Sequence, residues 1–230
     1  MLEVGAGLGS LTVALADAGC DVLAVEFDRA LLPALAEVVG ARANVRVEPA
    51  DASRVDELAA LLRGDGWSLV ANLPYNLSVT LVTQVLERVP VIERLVVMVQ
   101  REVGERFVAH AAEPGYGPVS VRVAYAADAS LVRRVPREVF WPRPNVDSTI
   151  VRLDRRRAPP VDVPPDALFR VVDVAFAERR KTIGNATRRL GLAPDAADVA
   201  GVEPSARPET VDLAGFARIT RVALERGWLP

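Results

Sequence analysis

Short β-branched runs alternate with longer helical stretches along the first part of the chain, and this alternation limits the fold more than any single motif does. Val22 to Val25, Val45 to Val47, Leu69 to Ala71 and Leu95 to Val99 read as strands. Leu11 to Ala18, Ala30 to Val39, Val55 to Leu62 and Ser78 to Val89 lie between or beside them and read as helices. A helix between two strands returns the chain to the same end of the sheet, so such strands pair in parallel, and the expected class is α/β. Val119 to Ala126 and Val146 to Leu153 also read as strands. No long helix separates them, so the sheet is expected to end in an antiparallel hairpin-like pair. The stretch from Arg155 to Pro165, punctuated by Pro159, Pro160, Pro164 and Pro165, interrupts the pattern. Beyond it Ala167 to Arg179, Ile183 to Leu190 and Leu213 to Arg226 read as helices. The chain thus divides into an α/β domain over residues 1–157 and a small helical domain over residues 162–230.

Composition removes several function classes. The chain has 230 residues, enough for a substantial core, and half of them are apolar. No apolar run reaches the ~18–20 residues of a membrane span, and no signal-peptide pattern opens the chain, so a cytoplasmic protein with no membrane partner is expected. Cys20 is the single cysteine, which excludes an internal disulfide and a cysteine zinc cluster. His110 is the single histidine, in a helical-looking stretch from Arg101 to Ala112 where a surface or half-buried role is expected. Histidine triads and multi-histidine metal sites are excluded, and no metal is expected. Charge is uneven: residues 1–150 carry 14 Arg against 19 acids, whereas residues 151–230 carry 14 basic residues against 11 acids. Arg170, Arg179, Arg180, Lys181, Arg188 and Arg189 fall among only two acids, Asp173 and Glu178. Such a face suits a phosphate backbone, although basic runs also serve simply as solvated surface.

Four segments at the ends of the first four strands carry chemistry. Glu3-Val4-Gly5-Ala6-Gly7-Leu8-Gly9 joins the first strand to the first helix, and its glycines let the backbone pass close to a ligand at a helix N-terminus. A dinucleotide fingerprint requires glycine where Ser10 stands, so the spacing favours a nucleoside ligand without pyrophosphate. Glu26 ends the second strand at a distance from Gly9 close to the ~20 residues at which a carboxylate reaches a ribose diol; a solvated strand-end acid is the alternative. Asp51 follows the third strand, where its carboxylate could accept from an adenine amine while the Ala52 amide donates to a ring nitrogen. A helix N-cap is the other reading of Asp51. Asn72-Leu73-Pro74-Tyr75 follows the fourth strand and offers an amide oxygen, a free carbonyl, a rigid turn and an aromatic face. These parts suit transfer to the exocyclic amine of a nucleobase, and core packing is the plainer role for Tyr75.

In this order, the glycine turn, the two strand-end acids and Asn-Leu-Pro-Tyr resemble the S-adenosylmethionine-dependent adenine-N6 methyltransferases of ribosomal RNA. Phe140-Trp141-Pro142-Arg143-Pro144-Asn145-Val146-Asp147-Ser148 is similar to the family's F-x-P-x-P-x-V-x-S segment. Phe176-Ala177-Glu178-Arg179-Arg180-Lys181-Thr182 with Asn185 is similar to the F-x-x-R-R-K-T-x-x-N signature of the bacterial small-subunit dimethyltransferases, the kasugamycin-sensitivity enzymes. Arg207-Pro208-Glu209 before Phe216 matches a further segment of that family. The resemblance spans essentially the whole chain. It also implies a segment ahead of the glycine turn, of glutamine-phenylalanine-leucine type, that helps cover the methyl donor. Met1 begins inside the first strand, so the donor site is expected to be incomplete in the chain as written.

The resemblance implies a Rossmann-like class I methyltransferase sheet with a small C-terminal helical domain. S-adenosyl-L-methionine would be held by Glu3, Gly5, Gly7, Gly9, Glu26, Asp51, Ala52 and Asn72. Asn72, Leu73, Pro74, Tyr75 and Phe140 would be the catalytic set, and Arg179, Arg180 and Lys181 would bind RNA. The implied partner is small-subunit rRNA, dimethylated at two adjacent adenines near its 3′ end within a partly assembled particle, by a monomer. A large-subunit enzyme of the macrolide-resistance type and a non-catalytic ribosome assembly factor are the alternatives. The Arg-Arg-Lys-Thr segment and Leu73 argue against the first of these, and Ser10 argues against an NAD-dependent oxidoreductase.

Overall fold

The computed structural model describes residues 1–178 and 180–227. The chain runs through β1 (Leu2–Val4), α1 (Ser10–Asp17), β2 (Val22–Glu26), α2 (Leu32–Val39), β3 (Val45–Pro49), α3 (Val55–Leu61), β4 (Trp67–Asn72), α4 (Ser78–Arg88) and β5 (Ile92–Gln100). It continues through α5 (Arg101–Val108), α6 (Pro118–Ala126), β6 (Ala127–Val135), β7 (Ser148–Arg155), α7 (Pro165–Ala177), α8 (Ile183–Arg189), α9 (Ala196–Val199) and α10 (Leu213–Glu225). By packing it forms two compact units, residues 1–104 with 127–155 and residues 105–126 with 156–230. Residues 105–126, which the sequence reading placed in the α/β domain, therefore belong to the helical unit.

The first unit is a seven-stranded sheet in the order β3-β2-β1-β4-β5-β7-β6. The five strands from β3 to β5 are parallel. β7 runs antiparallel to β5 and to β6. Every residue of β1 and β2 is buried, as in strands covered on both faces, which is why Val22 to Val25 reads as an unbroken apolar run. Strand order reverses beside β1, which lies between β2 and β4, so the crevice for a ligand opens at the carboxyl ends of these strands. Ala6, Ala16, Val22, Ala24, Leu35 and Val39 pack on one another around this region, with Cys20 partly buried against them.

The antiparallel end of the sheet differs from expectation in one strand. Val119 to Ala126 is helical, within α6, and the strand that pairs with β7 is Ala127–Val135. The alternation Val119, Val121, Val123 imitates a strand, yet Pro118 suits a first helical turn and tertiary packing overrides the pattern. Val121 and Val123 are buried, and Ser120 Oγ donates to the Arg106 carbonyl at 2.6 Å. In the same unit Arg122 forms a two-pronged pair with Asp173 at 2.9 Å and lies 4.6 Å from the Phe169 ring centroid.

The helical unit packs α6, α7 and α10 around Phe176, Phe216 and Tyr116. The Tyr116 hydroxyl, buried, donates to the Val211 carbonyl at 2.8 Å. His110 lies exposed just beyond α5, its amide donating to Glu113 Oε2 at 2.8 Å. Among the described residues no helix is long and apolar enough to cross a membrane.

Arg155, the last residue of β7, closes the C-terminal end of α4. Its guanidinium donates to the carbonyls of Val85, Leu86, Val89 and Ile92 at 2.7–3.1 Å, adding donors where a helix end leaves carbonyls short of them. Arg155→Met keeps the aliphatic stem and removes every donor. It is expected to destabilise the protein by about 1.5–3 kcal/mol, seen as a lower urea midpoint with an unchanged slope; an unchanged midpoint would mean that water satisfies these carbonyls equally well.

Candidate active site

The glycine turn follows β1 and wraps toward the end of β2. Gly5, Gly7 and Gly9 all adopt positive φ, at 72°, 56° and 85°, in the left-handed region that a side chain resists. At Gly9 a Cβ would also come within 2.9 Å of Leu35 Cδ1. The Gly7 N–H donates to Glu26 Oε2 at 2.7 Å, and the Asp28 N–H donates to Oε1 at 2.8 Å. Glu26 is thereby fixed, 8 % exposed, at the carboxyl edge of the sheet. Each of its oxygens keeps acceptor capacity after these bonds.

A cavity of about 320 Å³ opens at this edge, lined among others by Gly5, Glu26, Phe27, Asp51, Ala52 and Pro74. Gly7 and Gly9 shape the turn rather than this wall. Asp51 does not cap a helix, because α3 begins at Val55 after Arg54 with no side-chain cap. Its carboxylate instead accepts from the Ser53 amide at 2.9 Å and the Ser53 hydroxyl at 2.7 Å, and these bonds hold it below the ordinary carboxylate range. Ala52 is buried, and its N–H has no hydrogen-bond partner among the described residues. Phe27, 70 % exposed on this wall, is a candidate that the sequence reading missed; its position directly after the strand-end acid was the available signal.

Glu3 lies beneath the turn and not on the cavity wall. It is 1 % exposed and its Oε2 has no hydrogen-bond partner. Burial pushes its carboxyl above the ordinary range; the Thr12 hydroxyl beside it offsets part of this, and the Glu26 charge adds to it.

A second cavity, of about 270 Å³, is lined by Asn72, Leu73, Pro74, Tyr75, Phe140, Pro142 and Pro144. Pro74 is thus a wall common to both cavities. The Leu73 amide still belongs to the sheet, donating to the Met98 carbonyl at 3.1 Å. Its carbonyl and the Asn72 side chain have no partner among the described residues and remain available as acceptors. The Tyr75 hydroxyl is 2.9 Å from Ser148 Oγ at the start of β7, which fixes the ring. Asn72 and Phe140 are therefore brought together on one cavity, whereas Glu26, Asp51 and Ala52 are brought together on the other.

In the helical unit Arg180 and Lys181 are exposed in the turn between α7 and α8, and Arg179 lies outside the described residues. Thr182 and Asn185 of the same segment have a local structural use, the Asn185 amide donating to Thr182 Oγ1 at 3.1 Å. Glu178 pairs with Arg189 at 2.9 Å.

The parallel sheet, with a glycine turn and strand-end acid at its switch point, has the Rossmann-like class I methyltransferase fold, followed by a small helical unit. Residues 1–221 match the family model of ribosomal RNA adenine dimethylases. The protein named ribosomal RNA small subunit methyltransferase A in Thermobifida fusca is 44 % identical over 228 residues, covering 95 % of this chain and 78 % of that protein. Its namesake in Moorella thermoacetica is 42 % identical over 234 residues, covering 96 % and 81 %. The chain belongs to the ribosomal RNA adenine dimethylase family. Among solved structures, a dimethyladenosine transferase from Plasmodium falciparum shares the fold at a TM-score of 0.80 and 21 % identity, over 98 % of this chain and 90 % of that one. The 23S rRNA methyltransferase ErmE aligns at 0.70 and 27 % identity, over 96 % and 89 %.

The buried Glu3 carboxyl gives a pH signature whose sign is fixed. Its folded-state pKa is raised, so the native state binds its proton more tightly than the unfolded chain does. Stability from this group is full below the ordinary glutamate range and is lost as pH rises through the raised value. Relative to wild type, Glu3→Gln is expected to gain stability as pH rises from about 4.3 through the raised value, with little change in the difference below or above that window. Urea unfolding of both proteins across that range checks this; a pH-independent difference would mean that Glu3 titrates normally.

Proposed function

We propose that this chain transfers methyl groups from S-adenosyl-L-methionine to the N6 amines of two adjacent adenines near the 3′ end of small-subunit rRNA. The carrying observation is the pair of adjoining cavities with Pro74 between them, one edged by Glu26, Asp51 and Ala52 and the other by Asn72, Leu73, Tyr75 and Phe140. A donor and a planar acceptor can meet there without either leaving its own pocket.

The residues of the first cavity suit the donor. Glu26 has acceptor capacity for a ribose diol, the Ala52 N–H and the Asp51 carboxylate complement an adenine edge, and Phe27 offers a face to its ring. When bound, the donor supplies an electrophilic sulfonium methyl. The chain's own task is then to activate a weak nucleophile, since the adenine N6 lone pair is delocalised into the ring. Asn72 Oδ1 and the Leu73 carbonyl accept the two N6 hydrogens, drawing the nitrogen toward tetrahedral geometry and aiming its lone pair at the donor. Proximity and fixed dipoles supply this lowering of the barrier without a general base. Tyr75 and Phe140 sandwich the extruded base and offset part of its unstacking cost. When the methyl is transferred the donor would leave as a neutral thioether and the methylated nitrogen would release one proton to water, so a single N–H remains to be held, which permits the second transfer.

The names of the bacterial relatives support the small subunit as substrate. We further propose a cytoplasmic monomer acting on a partly assembled particle, with Arg179, Arg180 and Lys181 of the helical domain reaching rRNA phosphates. Labelled-methyl transfer to undermethylated small subunits, compared with large-subunit RNA, tests the proposal as a whole; labelling of large-subunit RNA alone would overturn it.

Asn72→Ala is expected to leave donor affinity within a few-fold and to lower turnover by at least ~100-fold, the scale of losing an acceptor that acts in the transition state. Near-normal turnover would sink the mechanism. Glu26→Gln is expected to weaken the donor by roughly 1–3 kcal/mol in calorimetry; an unchanged dissociation constant would reduce Glu26 to a brace for the glycine turn. Neutralising Arg179, Arg180 and Lys181 together is expected to flatten the salt dependence of particle binding by roughly 0.7–0.9 in log–log slope per lost contact, with donor affinity unmoved. An unchanged slope in a folded variant would remove this turn from the RNA interface.

A further inference from the structure

Trp141 is 97 % exposed, and no hydrogen bond or ring contact among the described residues holds its indole. The largest apolar side chain of the genetic code is left in water at a place where the backbone is stiffened by Pro136, Pro142 and Pro144. Its neighbours in the chain place it beside a cavity. Phe140 and Pro142, the residues on either side of it, line the base pocket together with Pro144, and Trp141 does not. Arg143 is half-exposed and held by Glu138. The indole therefore lies just outside the pocket in which the target base would be sandwiched.

Exposure alone selects no partner, but this position does. Extruding one of two adjacent adenines strips its neighbour of a stacking partner and bares that neighbour's face at the mouth of the pocket. A rigid, uncovered aromatic surface at that mouth can take the bared face, and stacking of this kind tolerates any base. We infer that Trp141 is a stacking platform for the nucleotide beside the adenine held by Tyr75 and Phe140, a positioning residue for the RNA. This rests on the proposed rRNA substrate.

The test uses a single-stranded RNA containing two adjacent adenines and a chain in which Trp67 and Trp228 are replaced by phenylalanine, so that Trp141 alone fluoresces. The RNA is expected to quench this fluorescence. Trp141→Ala is expected to weaken RNA binding by roughly 5- to 150-fold, the range for loss of one base–aromatic stack, and to raise KM for RNA with turnover at saturation little changed. Trp141→Phe is expected to restore most of the affinity. Unquenched fluorescence together with an unchanged affinity of Trp141→Ala would overturn the inference. So would a Trp141→Ala protein that binds this RNA normally and loses affinity only for the assembled particle, which would assign the indole to a ribosomal protein. A wild-type chain that binds neither RNA nor particle would sink the functional reading itself, whereas normal binding indifferent to Trp141 would sink only this inference.

Discussion

The structure depends on parallel pairing of the three-residue strand β1 between β2 and β4. Parallel pairing puts the carboxyl end of each strand on one edge of the sheet, so the glycine turn, Glu26, Asp51 and Asn72 arrive on that edge from widely separated sequence positions. The hydrogen bond from the Gly7 N–H to Glu26 then joins the turn after β1 to the end of β2. A backbone amide can reach the carboxylate this closely because Gly7 takes a positive φ without strain. The same bond that shapes the turn leaves a charged acceptor facing the cavity.

The antiparallel β7 contributes what a purely parallel sheet would not. It pairs with β5 from Gln100 opposite Ser148 to Arg94 opposite Asp154, and so brings Ser148 within hydrogen-bond distance of the Tyr75 hydroxyl. The loop leading into β7 carries Phe140, Pro142 and Pro144 to the pocket begun by β4. At its other end the strand delivers Arg155 to the α4 carbonyls. One strand thus anchors an aromatic of the site at its start and closes the helix that follows the site at its end.

Much of this was legible in the sequence because local pattern and tertiary role agree. The buried parallel strands read as apolar runs, and the strand-end motifs stood where the sheet later placed them. The failures have physical causes. Val119 to Ala126 has a period of two, yet its Ser120 and Arg122 find partners in the helical unit that favour a helix. The true edge strand, Ala127–Val135, contains Asp128, Ser130, Arg133 and Arg134, and such polar residues blunt an edge at the cost of a clear β signal. Phe27 on the wall of the Glu26 cavity and the Ser53 bonds that occupy Asp51 depend on loop conformation, which periodicity does not encode.

Among the described residues that break the usual rule of burial, Glu3 and Trp141 lie beside the site. Glu3 is an ionisable group buried with one oxygen unpaired, and Trp141 is a large aromatic left in solvent. Local inconsistencies of this kind are expected where a chain serves a ligand rather than its own stability. Their placement separates two demands on the same sheet edge. Glu3 lies under the glycine turn, where burial raises its carboxyl above the ordinary range. Trp141 stands in the chain between Phe140 and Pro142, both on the wall of the second cavity. Pro74 is a wall of both cavities, so a single proline in the turn after β4 separates the cavity edged by Glu26 and Asp51 from the one edged by Tyr75 and Phe140.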